Sequence, residues 1–411
     1  MVAEQAATHP LDAGGAMHGR GHYPLTMGQL SMWRAVSVRP TEQLWESNQD
    51  LLWSAPAGTS EEELRQALTA LAARHESLRT VYRPGDEPSA VRQVVLRDPL
   101  LRFRAASVRE PFDLSAEPAW RAWMRPAGDG EPPQVHVVIH HIAADGAATR
   151  ILESDFHALL RGDSLATAHT PREAAERQHT DAFRARLSAA LEYRQRILAA
   201  APRIAVSRGP LVRARAQTGI PYRAVHQAAR RLGVTLPTLL LTVYVQTLAA
   251  TTGRTDHLLW QLSANRMDPA VRGLVSSLTQ WVPMLVECDP DGPLRPMARD
   301  VNVAAARALQ HGVYDPYAVA LTDLDHGSYF TIIPAPADAA VDSTPAETAP
   351  ARVEFLPPHA RSGPSFYLMA HVHPEVRLTV RVMRGGYRRV EVRRLLTTMT
   401  DLLLRAVKDT A

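Results

Sequence analysis

Residues 134–146 read Gln134-Val135-His136-Val137-Val138-Ile139-His140-His141-Ile142-Ala143-Ala144-Asp145-Gly146. The near-continuous apolar stretch from Val135 to Ile139, interrupted by His136, has the pattern of a buried strand. Successive side chains of a strand project to opposite sides. His140 and His141 at its end therefore cannot readily hold one metal ion together. One of them should face inward, and the other whatever lies beyond the strand end. Asp145 followed by Gly146 suits a sharp turn into a helix, expected over residues 146–160, and Gly146 allows close backbone approach and tolerates strained dihedrals. A histidine at the mouth of a cleft can take a proton from an amine or alcohol near neutral pH. It can equally hydrogen-bond a developing oxyanion or orient a nucleophile. The plainer alternative is a pair of packed histidines in a buried turn. No G-x-S-x-G nucleophile motif accompanies the pair, which argues against a covalent acyl-enzyme.

Composition narrows the setting. The chain has 411 residues, 45% hydrophobic and 21% charged, which fits a globular protein with more than one lobe. Formal charge is +4, and Lys408 is the only lysine, so the basic residues are almost all arginine. The densest basic stretch, Arg377 to Arg394, alternates charge with Val and Leu and holds a single aromatic, Tyr387. That pattern predicts strand, turn and helix with a solvated face, and not nucleic-acid binding. The most apolar run, Leu236 to Ala250, is too short for a membrane span and is read as a buried helix. The lone Cys288 lies at an expected strand end, where a structural role is expected over a nucleophilic one, and it excludes an internal disulfide. No signal peptide is expected in residues 1–20, which read as a flexible leader, and the expected location is cytoplasmic.

Outward from the His-His-Asp-Gly run, Ser60 or Thr59 with Glu61, Glu62 and Glu63 should open a helix whose apolar face carries Leu64, Leu68 and Leu71. Strands are expected near residues 49–53, 78–83 and 91–96. Beyond Pro171 the sequence reads as long Arg/Ala-rich helices over roughly 173–200, a strand-poor linker, and helices over 221–232 and from about 235 to 251. Strands follow near 257–262 and 281–287, and the end reads as two strands and a closing helix. Residues 334–352 are Pro/Ala-rich and are expected to form a mobile loop. The division expected is an N-terminal lobe over 21–170 and a C-terminal lobe over 171–411.

With the motifs assembled, the sequence resembles the condensation domains of nonribosomal peptide synthetases, whose hallmark is HHxxxDG. Leu25 to Trp33 (LTMGQLSMW) is similar to the family's opening motif, with Gln29 and Trp33 in place. Arg74 to Thr80 (RHESLRT) follows RHExLRT, Pro111 to Leu114 is PFDL, and Ser263 to Arg266 resembles the segment that supplies an arginine to the Asp of HHxxxDG. The resemblance implies an α/β (α+β) fold of two chloramphenicol-acetyltransferase-like lobes forming a V around a central substrate tunnel. It implies a condensation enzyme, expected here as a free-standing acyltransferase, that joins a carrier-bound acyl or aminoacyl thioester to an amine or alcohol. Carrier proteins acting in trans would supply the phosphopantetheine, and the chain itself would bind no cofactor and no metal. His141 would position or deprotonate the nucleophile, with help from the Gly146 N–H at the oxyanion. Asp145 would pair with Arg266, and His140 would be structural. Arg74, His75, Glu76 and Arg79 would be scaffold. Gln29, Gln280 and Trp281 would line the substrate channel; Gln280 and Trp281 replace the Asn and Thr usual in the family, and both are expected to face the channel. His311 to Asp315 matches the family's acceptor-side element only weakly. Two rival readings stay open: a catalytically silent module that recruits a carrier or tailoring enzyme, and a same-fold enzyme that cyclises or rearranges a tethered substrate.

Overall fold

The computed structural model describes residues 21–98, 106–125, 132–202, 207–321, 326–335, 350–357 and 363–409. The leader expected at 1–20 and most of the loop expected at 334–352 lie outside the described residues. In chain order the elements begin with β1 (Tyr23–Pro24), α1 (Met27–Ser37), β2 (Asn48–Ser54), α2 (Glu61–Arg74), β3 (Thr80–Arg83), β4 (Arg92–Val95), β5 (Trp120–Arg125), β6 (Gln134–His140) and α3 (Gly146–Leu160). They continue with α4 (Pro171–Gln178), α5 (Asp181–Ala200), β7 (Arg208–Pro221), α6 (Tyr222–Leu232), α7 (Leu236–Thr252), β8 (Asp256–Ser263), α8 (Pro269–Arg272), β9 (Gln280–Glu287), α9 (Leu294–Gln310), β10 (Ser328–Ile333), β11 (Arg352–Phe355), β12 (Phe366–His371), β13 (Glu375–Arg384) and α10 (Arg389–Asp409).

Two compact units result. The first holds residues up to Thr26, Ser47–Glu176 and Gly273–Ser277; the second holds Met27–Glu46, Arg177–Arg272 and Leu278–Ala411. The division thus departs from a linear split at residue 170, because α1 belongs with the second unit and a five-residue segment near 275 with the first.

In the first unit, β6 is the middle strand of an antiparallel sheet in the order β2-β6-β5. Its Val135, Val137, Val138 and Ile139 are fully buried, which explains the near-continuous apolar run: a central strand covered on both faces needs no polar alternation. α2 starts with a capping box in which Ser60 and Glu63 satisfy each other's backbone N–H groups. A second sheet, β1-β4-β3, carries Val81 and Val94 into a small cluster with Leu96.

The second unit is built on a seven-stranded sheet ordered β11-β7-β13-β12-β10-β8-β9. β10 runs parallel to β8 and β12, and the other neighbours are antiparallel. One face of the sheet merges with α6, α7, α9 and α10 in a single core that includes Ala214, Leu239, Val282, Val301, Leu368, Leu378 and Leu396. α7 is buried along nearly its whole length, and Thr235 caps its start through the Thr238 N–H. Gly233 ends α6 at φ +75°, a left-handed position that glycine adopts without strain. Among the described residues no single helix is long and apolar enough to cross a membrane, and α6 and α7 meet at a 90° bend.

The sequence reading needs correcting in two places. The stretch read as a strand-poor linker is β7, a 14-residue strand paired with both β13 and β11. Its inward side chains are Val212, Ala214 and Ala216, and alanine carries too little apolar surface to mark a strand by alternation. The helices expected over 173–200 are α4 and α5, parted where the Thr180 side chain caps a new start by accepting from Phe183 N–H. The strand at Trp120–Arg125, absent from the sequence reading, completes the sheet beside β6.

Candidate active site

β6 ends at His140, and a turn follows that is closed by the Ala143 N–H donating to the His140 carbonyl at 2.9 Å. The His141 N–H donates to the Ser47 carbonyl at 2.7 Å, which ties the turn to the start of β2. Two side chains then take up the next carbonyls. Ser77 Oγ donates to Ala143 at 2.6 Å, and Gln49 Nε2 donates to Ala144 at 2.6 Å. The Asp145 N–H reaches the Ser276 carbonyl at 3.3 Å. Ile142, Ala143, Ala144 and Asp145 are fully buried, and these partners keep their backbone groups satisfied away from water. Within the run His140 to Gly146, only half-buried His141 and exposed Gly146 reach the surface.

His140 is 2% exposed. Its Nδ1 accepts from the Ile142 N–H at 3.1 Å, so that nitrogen carries no proton, and its ring meets Phe112 edge-on at 6.2 Å. Phe112 belongs to the PFDL element and lies under the Arg121 guanidinium, 4.0 Å from the ring centre. Arg121 is held by Glu117 at 2.7 Å. The PFDL motif is therefore the support behind His140. The two histidines differ: His140 is buried and braces the turn, whereas His141 is half-buried.

Asp145 caps α3. Its Oδ1 accepts from the N–H groups of Ala147 at 3.1 Å and Ala148 at 2.9 Å. The Thr149 N–H goes to the Asp145 carbonyl, so the cap leaves the Gly146 N–H outside its bonds. Gly146 has no left-handed φ, and a Cβ built there would meet nothing within 4 Å. The strained dihedral anticipated for this glycine is absent, whereas the open space beside it is present. Arg266 is half-buried in its own unit and donates to the Val271 carbonyl at 3.1 Å. Asn265, just before it, takes φ +53° and binds the Leu278 and Gly312 carbonyls.

The RHESLRT motif holds the far side of the same assembly. His75 Nε2 and Arg74 Nε both contact Asp155 Oδ2 at 2.8 Å, and Asp155 lies on α3. Burial lowers the pKa of His75 against the opposing pull of Asp155, so the ring is a neutral donor at neutral pH. Burial would raise Asp155, but the hydrogen bonds from His75 and Arg74 override it and leave the carboxyl below its ordinary value. Glu76 is raised by burial against the attraction of Arg172 and Arg79. These contacts tie the RHESLRT segment to α3.

Of the residues expected to line a channel, Gln29 is fully buried on α1. Gln280 is 2% exposed and its amide is spent: Nε2 donates to Ser31 Oγ at 2.7 Å and to the Tyr314 carbonyl at 2.8 Å, while Oε1 accepts from the Tyr314 N–H at 3.2 Å. Trp281 is half-buried and lies edge-on to Tyr329 and Tyr367. Being adjacent in β9, Gln280 and Trp281 project to opposite faces. The expectation that both look into one channel is therefore wrong, and Gln280 is a clamp joining α1, β9 and the 314 segment. Cys288 is buried against Met297, and burial pushes its thiol up to about 11, which suits packing and not nucleophilic attack.

The condensation-domain profile matches residues 98–411. The chain belongs to the condensation-domain family. A related condensation-bearing protein is phosphinothricin tripeptide synthetase PhsC of Streptomyces viridochromogenes, 27% identical over 70% of this chain. The chain spans 30% of that synthetase's length. Among solved structures, the condensation domain that mediates chain release from the enacyloxin polyketide synthase superposes with a TM-score of 0.75 at 18% identity, covering 94% of this chain and 82% of that one. The X-domain in complex with OxyB from teicoplanin biosynthesis superposes at 0.64 and 17% identity, covering 96% and 95%. These likenesses establish the chloramphenicol-acetyltransferase-like fold of condensation domains for this chain. The first two motifs of the domain, LTMGQLSMW and RHESLRT, precede the matched segment and are placed by the structure beside it.

Proposed function

We propose that this condensation domain forms an amide or ester bond between an acyl or aminoacyl thioester, carried on a carrier protein's phosphopantetheine, and an amine or alcohol. The observation that carries the reading is the selective exposure within HHxxxDG: five residues of the motif are buried and braced, and His141 and Gly146 are presented. The acceptor nitrogen or oxygen attacks the thioester carbonyl, a C–N or C–O bond forms, and the C–S bond breaks. His141 positions the acceptor and takes its proton, which passes to the departing thiolate. The Gly146 N–H donates to the carbonyl oxygen as charge develops on it. No covalent acyl-enzyme is required.

A second reading is a silent recruitment module, favoured by the likeness to the X-domain that binds OxyB. The presented His141 favours catalysis over it. Incubation of the protein with acyl-loaded carrier proteins and a panel of amines, followed by mass analysis of carrier and small molecules, separates the two. Enzyme-dependent loss of the acyl group with matching product supports condensation. Carrier binding without any acyl loss supports recruitment.

A further inference from the structure

The residues Gly273–Ser277 pack in the first unit, although the chain on both sides of them belongs to the second. Leu274, Val275, Ser276 and Ser277 are all buried, none more than 1% exposed. The hydroxyl of Thr26, itself fully buried and 251 positions away in sequence, donates to the Ser277 carbonyl at 3.3 Å. The carbonyl before it, that of Ser276, accepts from the Asp145 N–H at 3.3 Å. Gly273–Ser277 is therefore a strap between the start of the described chain and the end of the His-His-Asp-Gly turn. Buried backbone groups depend on such partners, because water cannot take their place.

Asp145 is where the turn becomes α3, at φ −84° and ψ 177°. Its N–H is held by Ser276, its carbonyl by the Thr149 N–H at 2.9 Å, and its Oδ1 by the N–H groups of Ala147 and Ala148. The Asp145 carbonyl and the Gly146 N–H share one planar trans peptide and point in opposite directions. The carbonyl points along α3 to meet Thr149, so the Gly146 N–H points out of the helix start, among the donors that a first turn leaves over. The bonds to Ala147, Ala148 and Thr149 form wherever α3 forms. The bond to Ser276 reaches outside turn and helix, and it ties the Gly146 peptide to the strap.

We propose that Thr26 is a positioning residue for the transfer, acting through the strap to aim the Gly146 N–H at the thioester oxygen. The proposal rests on the condensation reading and deepens it. The Thr26 hydroxyl holds Ser277, the adjoining Ser276 holds Asp145, and Asp145 shares a peptide with the donor. An oxyanion donor acts only when it is aimed at the place where charge develops. Loosening the strap therefore lowers kcat and leaves the binding of the loaded carrier alone.

The test compares Thr26→Val, which removes the hydroxyl from a side chain of similar shape, with Thr26→Ser, which keeps it. Amide hydrogen exchange of the full chain, resolved to single residues by fragmentation mass spectrometry, is read beside kcat and KM for loaded carrier. In Thr26→Val the Asp145 amide should exchange roughly tenfold faster. Its kcat should fall roughly tenfold with KM unchanged, and Thr26→Ser should restore both readings. In a Gly146→Ala background the same valine should cost kcat about twofold at most, because both changes disturb one donor. Circular dichroism checks folding, and Thr26→Ala replaces the valine variant if that one does not fold. Unchanged exchange at Asp145 in the folded variant overturns the proposal whether or not the parent transfers, so its failure is distinct from that of the condensation reading. With a parent that transfers, an unchanged kcat, no rescue by serine, or an undiminished loss on top of Gly146→Ala overturns it as well.

Discussion

The Ser77 hydroxyl donates a 2.6 Å hydrogen bond to the carbonyl of Ala143, so the RHESLRT motif holds the very turn that presents His141. Two residues earlier in the same motif, His75 binds Asp155 on α3. One short segment thus fixes both the loop and the helix that follow the histidine pair. The proposed site therefore depends on supports drawn from one segment.

Ser77→Ala removes a donor and leaves a buried carbonyl without its partner. The expected cost is about 1–3 kcal/mol of stability. Because the turn loosens without touching a substrate-binding surface, kcat should fall more than KM rises. Urea denaturation and transfer kinetics on the same preparation check both statements.

Acid should destabilise the protein through the His75–Asp155 contact. His75 has its folded pKa lowered below the reference 6.5, so below that pH the unfolded chain binds the proton more readily and stability is lost as pH falls. Asp155 is lowered from 3.8, and its contribution fades in the same direction at more acid pH. His257, His311 and His371 are lowered too, each first by burial. Glu76, raised by burial, opposes the trend only near its own range. Denaturation midpoints should therefore fall between about pH 7 and pH 5, and His75→Gln should flatten part of that slope without removing it.

Gly146→Ala separates structure from chemistry. The backbone there is not left-handed and the added methyl meets nothing within 4 Å, so stability should change by no more than about 0.5 kcal/mol. The same methyl lies next to the N–H proposed to meet the thioester oxygen, and transfer should slow. Thermal melts unchanged alongside a reduced rate are the expected pair of results; a full rate would remove Gly146 from the site.

Gln280→Leu should behave in the opposite way. Its amide makes contacts with Ser31 and both backbone groups of Tyr314, and the isosteric apolar side chain leaves those partners unpaired, at about 1–3 kcal/mol. Denaturant titration should show the loss, with no selective change in substrate preference.

What was legible in the sequence was the local chemistry. His140, His141, Asp145 and Gly146 are contiguous, and strand alternation with a helix cap dictates their arrangement from a few residues. The RHESLRT and PFDL motifs were recognisable, and RHESLRT was expected to be scaffold, but their partners were not, since Ser77 with Ala143 and Phe112 with His140 are contacts between segments far apart in the chain. β7 was missed because Ala214 and Ala216 give a faint apolar alternation and its order is imposed by β13 and β11. Gln280 was read toward a channel because sequence neighbours were treated together, whereas the pleat of β9 parts it from Trp281.

The central claim is that His141 carries the transfer while its neighbours build the turn. The decisive measurement is the single-turnover rate of acyl loss from a loaded carrier in the presence of acceptor amine, followed by intact-protein mass spectrometry, for the unaltered protein and His141→Ala. The account predicts that the variant melts within a few degrees of the parent, binds loaded carrier equally well, and transfers at least about a hundredfold more slowly. A folded His141→Ala that transfers at the parent rate would contradict it.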